Sequence, residues 1–247
     1  MTPAGNRILA QLQVVAEERS ARSSDPSLQE RVLAVKAYQQ ERFRKTYADL
    51  LSHPRFGPAS WFFLEELYGP EDFSERDAQF TRIVPALVRL FPEEIVHTVE
   101  TLAALHALSE RLDTTMGRSL VSLPVDRAGY VRAWQVTGQR EQRIQQIELI
   151  LRIGRALDRY TRNPVLRHSL RLMRAPAKAA GMAALQAFLE RGFDTFREMR
   201  GAEPFLALVE SRETKLLDAL FAVDVVSMAA VPGEMSLPVE DPLGQLP

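Results

Sequence analysis

The sequence predicts an all-α protein: a compact bundle of about nine to eleven helices with an irregular C-terminal tail. Three observations carry that reading. Apolar residues recur every three or four positions through most of the 247 residues, with Glu, Gln, Lys and Arg filling the places between them. Proline, glycine and short polar residues fall mostly between these periodic stretches, where helix starts and stops belong. No segment joins alternating β-branched residues to a hairpin turn, so no strand is expected.

The elements follow in order. A helix over residues 4–23 precedes the turn Arg22-Ser23-Ser24-Asp25-Pro26. Leu28, Val32, Val35, Tyr38 and Arg42 then step by three or four along a helix expected over 27–51, which Asp25-Pro26-Ser27 starts and His53-Pro54 stops. The next is expected over 58–68, with Gly69 as its closing glycine and Pro70 forbidding continuation. Ser74-Glu75-Arg76-Asp77 resembles a capping box and opens a helix to Phe91, in which Pro85 predicts a kink or break near Val84. Pro92-Glu93-Glu94 opens another, with carboxylates in the first turn where the helix dipole favours them, ending near Gly117. After a loop over 120–126 come helices over 127–136 and 140–160, then one from Asn163-Pro164 to Met173. A long helix is expected from Pro176 to Arg200, capped by Gly201. The last opens at Glu203-Pro204 and ends between Leu220 and Met228.

Residues 1–231 therefore read as a single helical domain. Residues 232–247 hold four prolines, two glycines and three acids, too many breakers for a regular element. This tail is either disordered or laid extended over a surface, and its spaced Leu237, Val239, Leu243 and Leu246 suit docking. The absence of cysteine excludes disulfide scaffolds, Cys-type zinc sites, iron–sulfur clusters and thiol nucleophiles. With 31 Lys and Arg against 32 Asp and Glu, the chain is not a wholly basic nucleic-acid binder. Residues 1–12 lack the apolar run of a secretory leader, and no apolar stretch of about 18 residues occurs, so a cytoplasmic protein is expected.

The stretch Trp61-Phe62-Phe63-Leu64-Glu65-Glu66-Leu67-Tyr68-Gly69-Pro70-Glu71-Asp72-Phe73, followed by Arg76-Asp77, resembles a signature of a bacterial all-helical domain-of-unknown-function family. A second run, Leu172-Met173-Arg174-Ala175-Pro176 through Gly181 and on to Leu189-Glu190-Arg191-Gly192-Phe193, is similar to the same group. The resemblance spans residues 48–213. It implies a helical fold and a bacterial source, and lends no activity or site.

Candidate chemistry is sparse. G-x-S-x-G, the P-loop, G-x-G-x-x-G and H-E-x-x-H are all absent, which leaves no catalytic residue to nominate and favours a protein that works by binding. Residues 61–68 are apolar around most of a helix, which suits a buried core helix or the wall of a pocket. A carboxylate of Glu65 or Glu66 turned inward needs an arginine, with Arg76 and Arg82 as candidates. Glu94 and His97 have the E-x-x-H spacing of di-iron bundles. No second copy exists, and Glu94 is equally explained by the helix dipole. His106 shares a helical face with Ile95, Val99 and Leu102, about 180° from His97 at roughly 100° per residue. It is either a core histidine bonded to a carbonyl or the axial ligand of a haem or other planar molecule.

The most distinctive feature is a basic block. Residues 152–178 contain Arg152, Arg155, Arg159, Arg162, Arg167, Arg171, Arg174 and Lys178 against one acid, Asp158, a net +7 that leaves −8 for the rest of a chain whose total is −1. Arg152, Arg155 and Arg159 share one helical face, and Glu148 is placed to pair with Arg152. Arginine favours planar bidentate partners, so the block suits an anionic ligand, a nucleic acid or a membrane surface. It equally suits pairing within the fold, since the acidic remainder is large enough to match it. The Ala-rich run after Pro176 suits close helix packing, either in the core or across a homodimer.

Overall fold

The computed structural model describes residues 2–66, 73–224 and 241–247. These form α1 (Pro3–Ser23), α2 (Pro26–Thr46), α3 (Ala48–Leu51), α4 (Gly57–Glu66), α5 (Ser74–Leu90), α6 (Glu93–Ser119), α7 (Arg127–Thr137), α8 (Arg140–Thr161), α9 (Pro164–Leu172), α10 (Arg174–Ala179), α11 (Ala183–Glu198) and α12 (Glu203–Ala222), followed by a 3-10 turn at Pro242–Gln245. No strand occurs among the described residues. The caps at Asp25 and Asn163 are those the sequence predicts; Thr2 and Asp126 add two more. Thr2, Asp25, Asp126 and Asn163 each accept a backbone N–H in the first turn of α1, α2, α7 and α9, and Pro3, Pro26 and Pro164 fill the first helical position.

Four expectations need correction. The helix expected over 27–51 breaks at Tyr47, whose backbone leaves the helical region at φ −116° and ψ 22°. That break lets the Tyr47 hydroxyl donate to Glu213 Oε1 of α12 at 2.6 Å. The helix expected over 176–200 is two, because Gly181 adopts φ +69°, a conformation that favours glycine, and turns the chain between α10 and α11. The capping box is not formed: α5 has no side-chain cap, and Asp77 turns instead to His106 and Arg19. Finally, of the kink or break expected near Val84 the break does not occur: α5 runs through Pro85 as one helix. Pro85 and Thr81 lie on the exposed side, so the Thr81 carbonyl that loses its N–H partner faces solvent. The proposed cap at Gly69-Pro70 and the first part of the tail lie outside the described residues.

Helix α6 is the hub, packed against α1, α2, α7 and α8. Its approach to α2 depends on Gly117, where a Cβ would sit 2.5 Å from Val32 Cγ2. Ile8, Leu12, Val84, Leu87, Val96 and Ala103 fill the space between α1, α5 and α6. A larger aromatic cluster built on Phe43, Tyr47, Phe56, Phe196 and Phe205 joins α2, α4, α11 and α12. Within α4, Phe62 and Leu64 are buried while Trp61 is 44% exposed, so this helix is not buried all round. Glu66 is held by Arg76 at 3.1 Å and Arg191 at 2.5 Å, whereas Arg82 donates to the Gly181 carbonyl.

The third cluster seals one end of the bundle. Val35 and Tyr38 of α2, Met116 of α6, Tyr130 of α7 and Leu216 and Leu220 of α12 surround Leu246, which is fully buried. The Leu246 carbonyl accepts from Arg127 at 3.0 Å, and Tyr38 donates to the Pro247 carbonyl at 3.3 Å. This end of the tail thus packs as core. Leu246→Ala is expected to cost about 2–5 kcal/mol, the range for deleting a buried leucine side chain. Urea unfolding measures it, and a cost below about 0.5 kcal/mol, typical of surface substitutions, would show that residue 246 is not packed.

Candidate functional site

Two groups of charged side chains stand out, one buried beneath α6 and one on the outer face of α8. The buried group is centred on Glu110. Its Oε2 lies 2.6 Å from Arg22 Nη2, and its Oε1 lies 3.1 Å from Lys36 Nζ and 3.4 Å from Arg19 Nη2. Arg22 also donates to Thr114 Oγ1 at 3.0 Å. Burial alone would raise the Glu110 carboxyl, but Lys36, Arg22 and Arg19 outweigh it and hold the group at about 2. One turn on, Asp113 meets Lys36 only at 3.9 Å, and burial raises its pKa.

His106 borders this network. Its Nε2 lies 2.9 Å from Asp77 Oδ2, which also meets Arg19 Nη2 at 2.8 Å. Burial pushes Asp77 up, yet the hydrogen bond and charge of His106, with Arg19 and Arg76, bring it below its ordinary value. His106 Nε2 is thus engaged by a carboxylate that also meets an arginine, not by a backbone carbonyl. Among the described residues no group of three or more His, Asp or Glu is arranged to hold a metal ion. His97 is exposed on the opposite side of α6, and Glu94 pairs with Arg159 at 3.2 Å.

The second group contains the basic block, which the fold divides. Arg152, Arg155 and Arg159 project from α8 into a cleft of about 370 Å³ between α6 and α8, closed at one side by Glu210 of α12. Leu151 and Ala156 are buried in its floor, and His97, Thr98 and Thr101 of α6 form the facing wall. Arg155 reaches Glu203 at 3.2 Å and Glu210 at 3.6 Å. Arg152 meets no carboxylate within ion-pair distance among the described residues. Glu148, expected to pair with it, does not, and instead lines the same cleft. The remaining cations lie on or beside α9 and α10. Arg162 pairs with Asp158 at 2.5 Å, Arg167 with Asp194 at 2.7 Å and Arg174 with Glu190 at 2.5 Å, while Arg171 and Lys178 have no carboxylate partner among the described residues. The fold thus brings together three of the eight block cations in one cleft and scatters the rest.

With fold and cleft in place, comparison adds one finding: a family model described as a domain of unknown function (DUF8198) matches residues 18–226. The chain belongs to that family. Neither the curated proteins nor the solved structures contain a match. The family spans α2 to α12 and reaches into α1, so it covers both the buried charge network and the cleft. No helix among the described residues is long and apolar enough to cross a membrane.

The Glu110 network makes a pH prediction. A carboxyl brought from an ordinary value near 4.5 to about 2 adds stability that is fully present above the unfolded value and is lost as pH falls through the folded one. The contribution is about 3 kcal/mol, at 1.36 kcal/mol per unit, and should disappear between about pH 4.5 and 2. Glu110→Gln should cost about 3–5 kcal/mol at neutral pH and flatten that acid limb, because it leaves the buried Arg22 without its carboxylate and Lys36 with only the more distant Asp113. Melting curves against pH on both proteins measure this. An unchanged acid limb in the variant would remove Glu110 from the account.

Proposed function

We propose that the protein acts by binding, without catalysis, and that it holds a small molecule bearing a single anionic group in the α6–α8 cleft. What supports this most is Arg152, a cation at the mouth of a cleft of about 370 Å³ with no carboxylate bonded to it. That volume lies in the range of small-ligand sites. The guanidinium offers a planar fork for a carboxylate or a phosphate. Thr98, Thr101 and His97 supply shorter polar groups across from it, and the buried Leu151 and Ala156 give the ligand an apolar floor.

The charge pattern favours a small anion over a nucleic acid. Glu94, Glu148 and Glu210 line the same cleft, and Arg155 and Arg159 are already bonded to carboxylates. A polyphosphate chain would meet this acidic rim. A compact ligand with one anionic group would reach Arg152 and present hydroxyl or amine donors to Glu148. The reading places the protein in the cytoplasm, in keeping with a cysteine-free chain.

The test is a thermal-shift and calorimetric titration with inorganic phosphate, adenosine monophosphate and a small monocarboxylate, alongside native mass spectrometry of freshly purified protein. A binding probe at ten times its Kd should add about 1.4 kcal/mol of stability. Arg152→Gln should weaken that probe by about tenfold or more, as expected for losing a charge-assisted hydrogen bond, while Arg162→Gln on the far side of Asp158 should not. Binding that survives Arg152→Gln, or no shift with any probe and nothing co-purifying, would overturn the proposal.

A further inference from the structure

The other half of the basic block makes a different surface. From Arg159 to Met182 the sequence holds five arginines and one lysine and no Asp or Glu. Within this stretch α9 buries no residue at all, and α10 buries only Ala177. Leu166 and Leu170 turn inward toward the bundle, and Arg167 beside them meets Asp194 of α11 at 2.7 Å. The outward side of a peripheral helix is ordinarily polar. Here it is mixed: beside the exposed His168 and Ser169, Val165 is 66% exposed, Leu172 64% and Met173 44%. Val165 and Leu172 are seven residues apart, so they share one face. Arg171 of α9 and Lys178 of α10 are exposed and have no carboxylate within ion-pair distance among the described residues, although the Arg171 charge helps to hold Glu190 below its ordinary value.

We propose that α9 and α10 dock the protein onto an anionic lipid surface. Val165, Leu172 and Met173 enter the interface between headgroups and acyl chains, while Arg171 and Lys178 meet lipid phosphates. This is the arrangement of an interfacial amphipathic helix, in which apolar side chains dip below the headgroups and long cationic ones reach up to them. Charge complementarity selects an anionic partner through Arg171 and Lys178, the two cations of the segment that the fold leaves without an ion pair among the described residues, whereas Arg159, Arg162, Arg167 and Arg174 are paired. The apolar face selects a bilayer: exposed valine, leucine and methionine gain nothing from a nucleic-acid backbone. Tyr160 and His168 are the two rings in the stretch that could stack on bases, fewer than a nucleic-acid platform uses.

The test is flotation of the full-length protein with vesicles of phosphatidylcholine alone and of phosphatidylcholine mixed equally with phosphatidylglycerol. Binding is expected to the mixed vesicles, to weaken with added salt, and to be slight on the neutral ones. Replacing Arg171 and Lys178 with Gln should lower the partition coefficient roughly thirtyfold, each cation being worth about fivefold at such a surface. Leu172→Ser with Met173→Ser should lower it by roughly tenfold or more through lost insertion, and both residues are exposed enough for the fold to survive. Because the chain has no cysteine, Leu172→Cys takes a single environment-sensitive dye, whose emission should shift to the blue on anionic vesicles. The same dye at exposed Glu141→Cys should not respond. Arg152→Gln should leave vesicle binding unchanged, which separates this surface from the cleft. No flotation at low salt, no response of the Leu172 dye, or nucleic-acid binding that competes with vesicles and survives Leu172→Ser would each overturn the proposal.

Discussion

Everything in this bundle rests on placing one carboxylate where water does not reach. Glu110 is 4% exposed at the middle of α6, and three cations from two other helices converge on it. An ion there without partners would be costly, so Arg19 and Arg22 of α1 and Lys36 of α2 must arrive together. Their arrival fixes how far along α6 each helix sits. Apolar packing between helices tolerates small slides; a hydrogen-bonded ion cluster does not. The aromatic and aliphatic clusters supply most of the burial, while Glu110 sets the register in which it occurs.

Much of this fold could be read from spacing because helices announce themselves locally. A cap, a proline at the first position and an apolar stripe all fall within one stretch of chain. Even some of the charged core was visible. Arg42 steps with Leu28, Val32, Val35 and Tyr38, and its Nη1 indeed lies buried 2.5 Å from Glu213. Glu110 and Asp113 likewise share the inward face of His106. What spacing could not show was the partner. Arg22 reads as a turn residue by its neighbours, and only tertiary structure carries its side chain back to Glu110. The break at Gly181 was masked by the alanines around it, whose strong helix preference suggested continuity.

The basic block illustrates the same limit. Its net charge is a property of sequence, yet its meaning depends on which carboxylates the fold supplies. Pairing accounts for Arg155, Arg159, Arg162, Arg167 and Arg174. Asp158, four residues before Arg162, lies within the block itself, but the other acids come from α6, α11 and α12, outside it. The expected i,i+4 pair of Glu148 with Arg152 fails to form, and that failure leaves both groups facing the cleft. Charge that looked like one surface becomes internal cross-bracing plus two small residues of free charge, at Arg152 and at Arg171 with Lys178.

The burial of Leu246 also bears on how the molecule comes into being. The hydrogen bond from Tyr38 to Pro247 joins positions 209 residues apart. A growing chain therefore carries the apolar strip of α2 around Val35 and Tyr38 through the synthesis of about 200 further residues before the leucine that covers it exists. At roughly 5–20 residues per second, that exposure lasts on the order of ten seconds or more on each ribosome. For that interval the nascent bundle is open at one end, and a chaperone or a neighbouring nascent chain competes for the place that residue 246 finally takes.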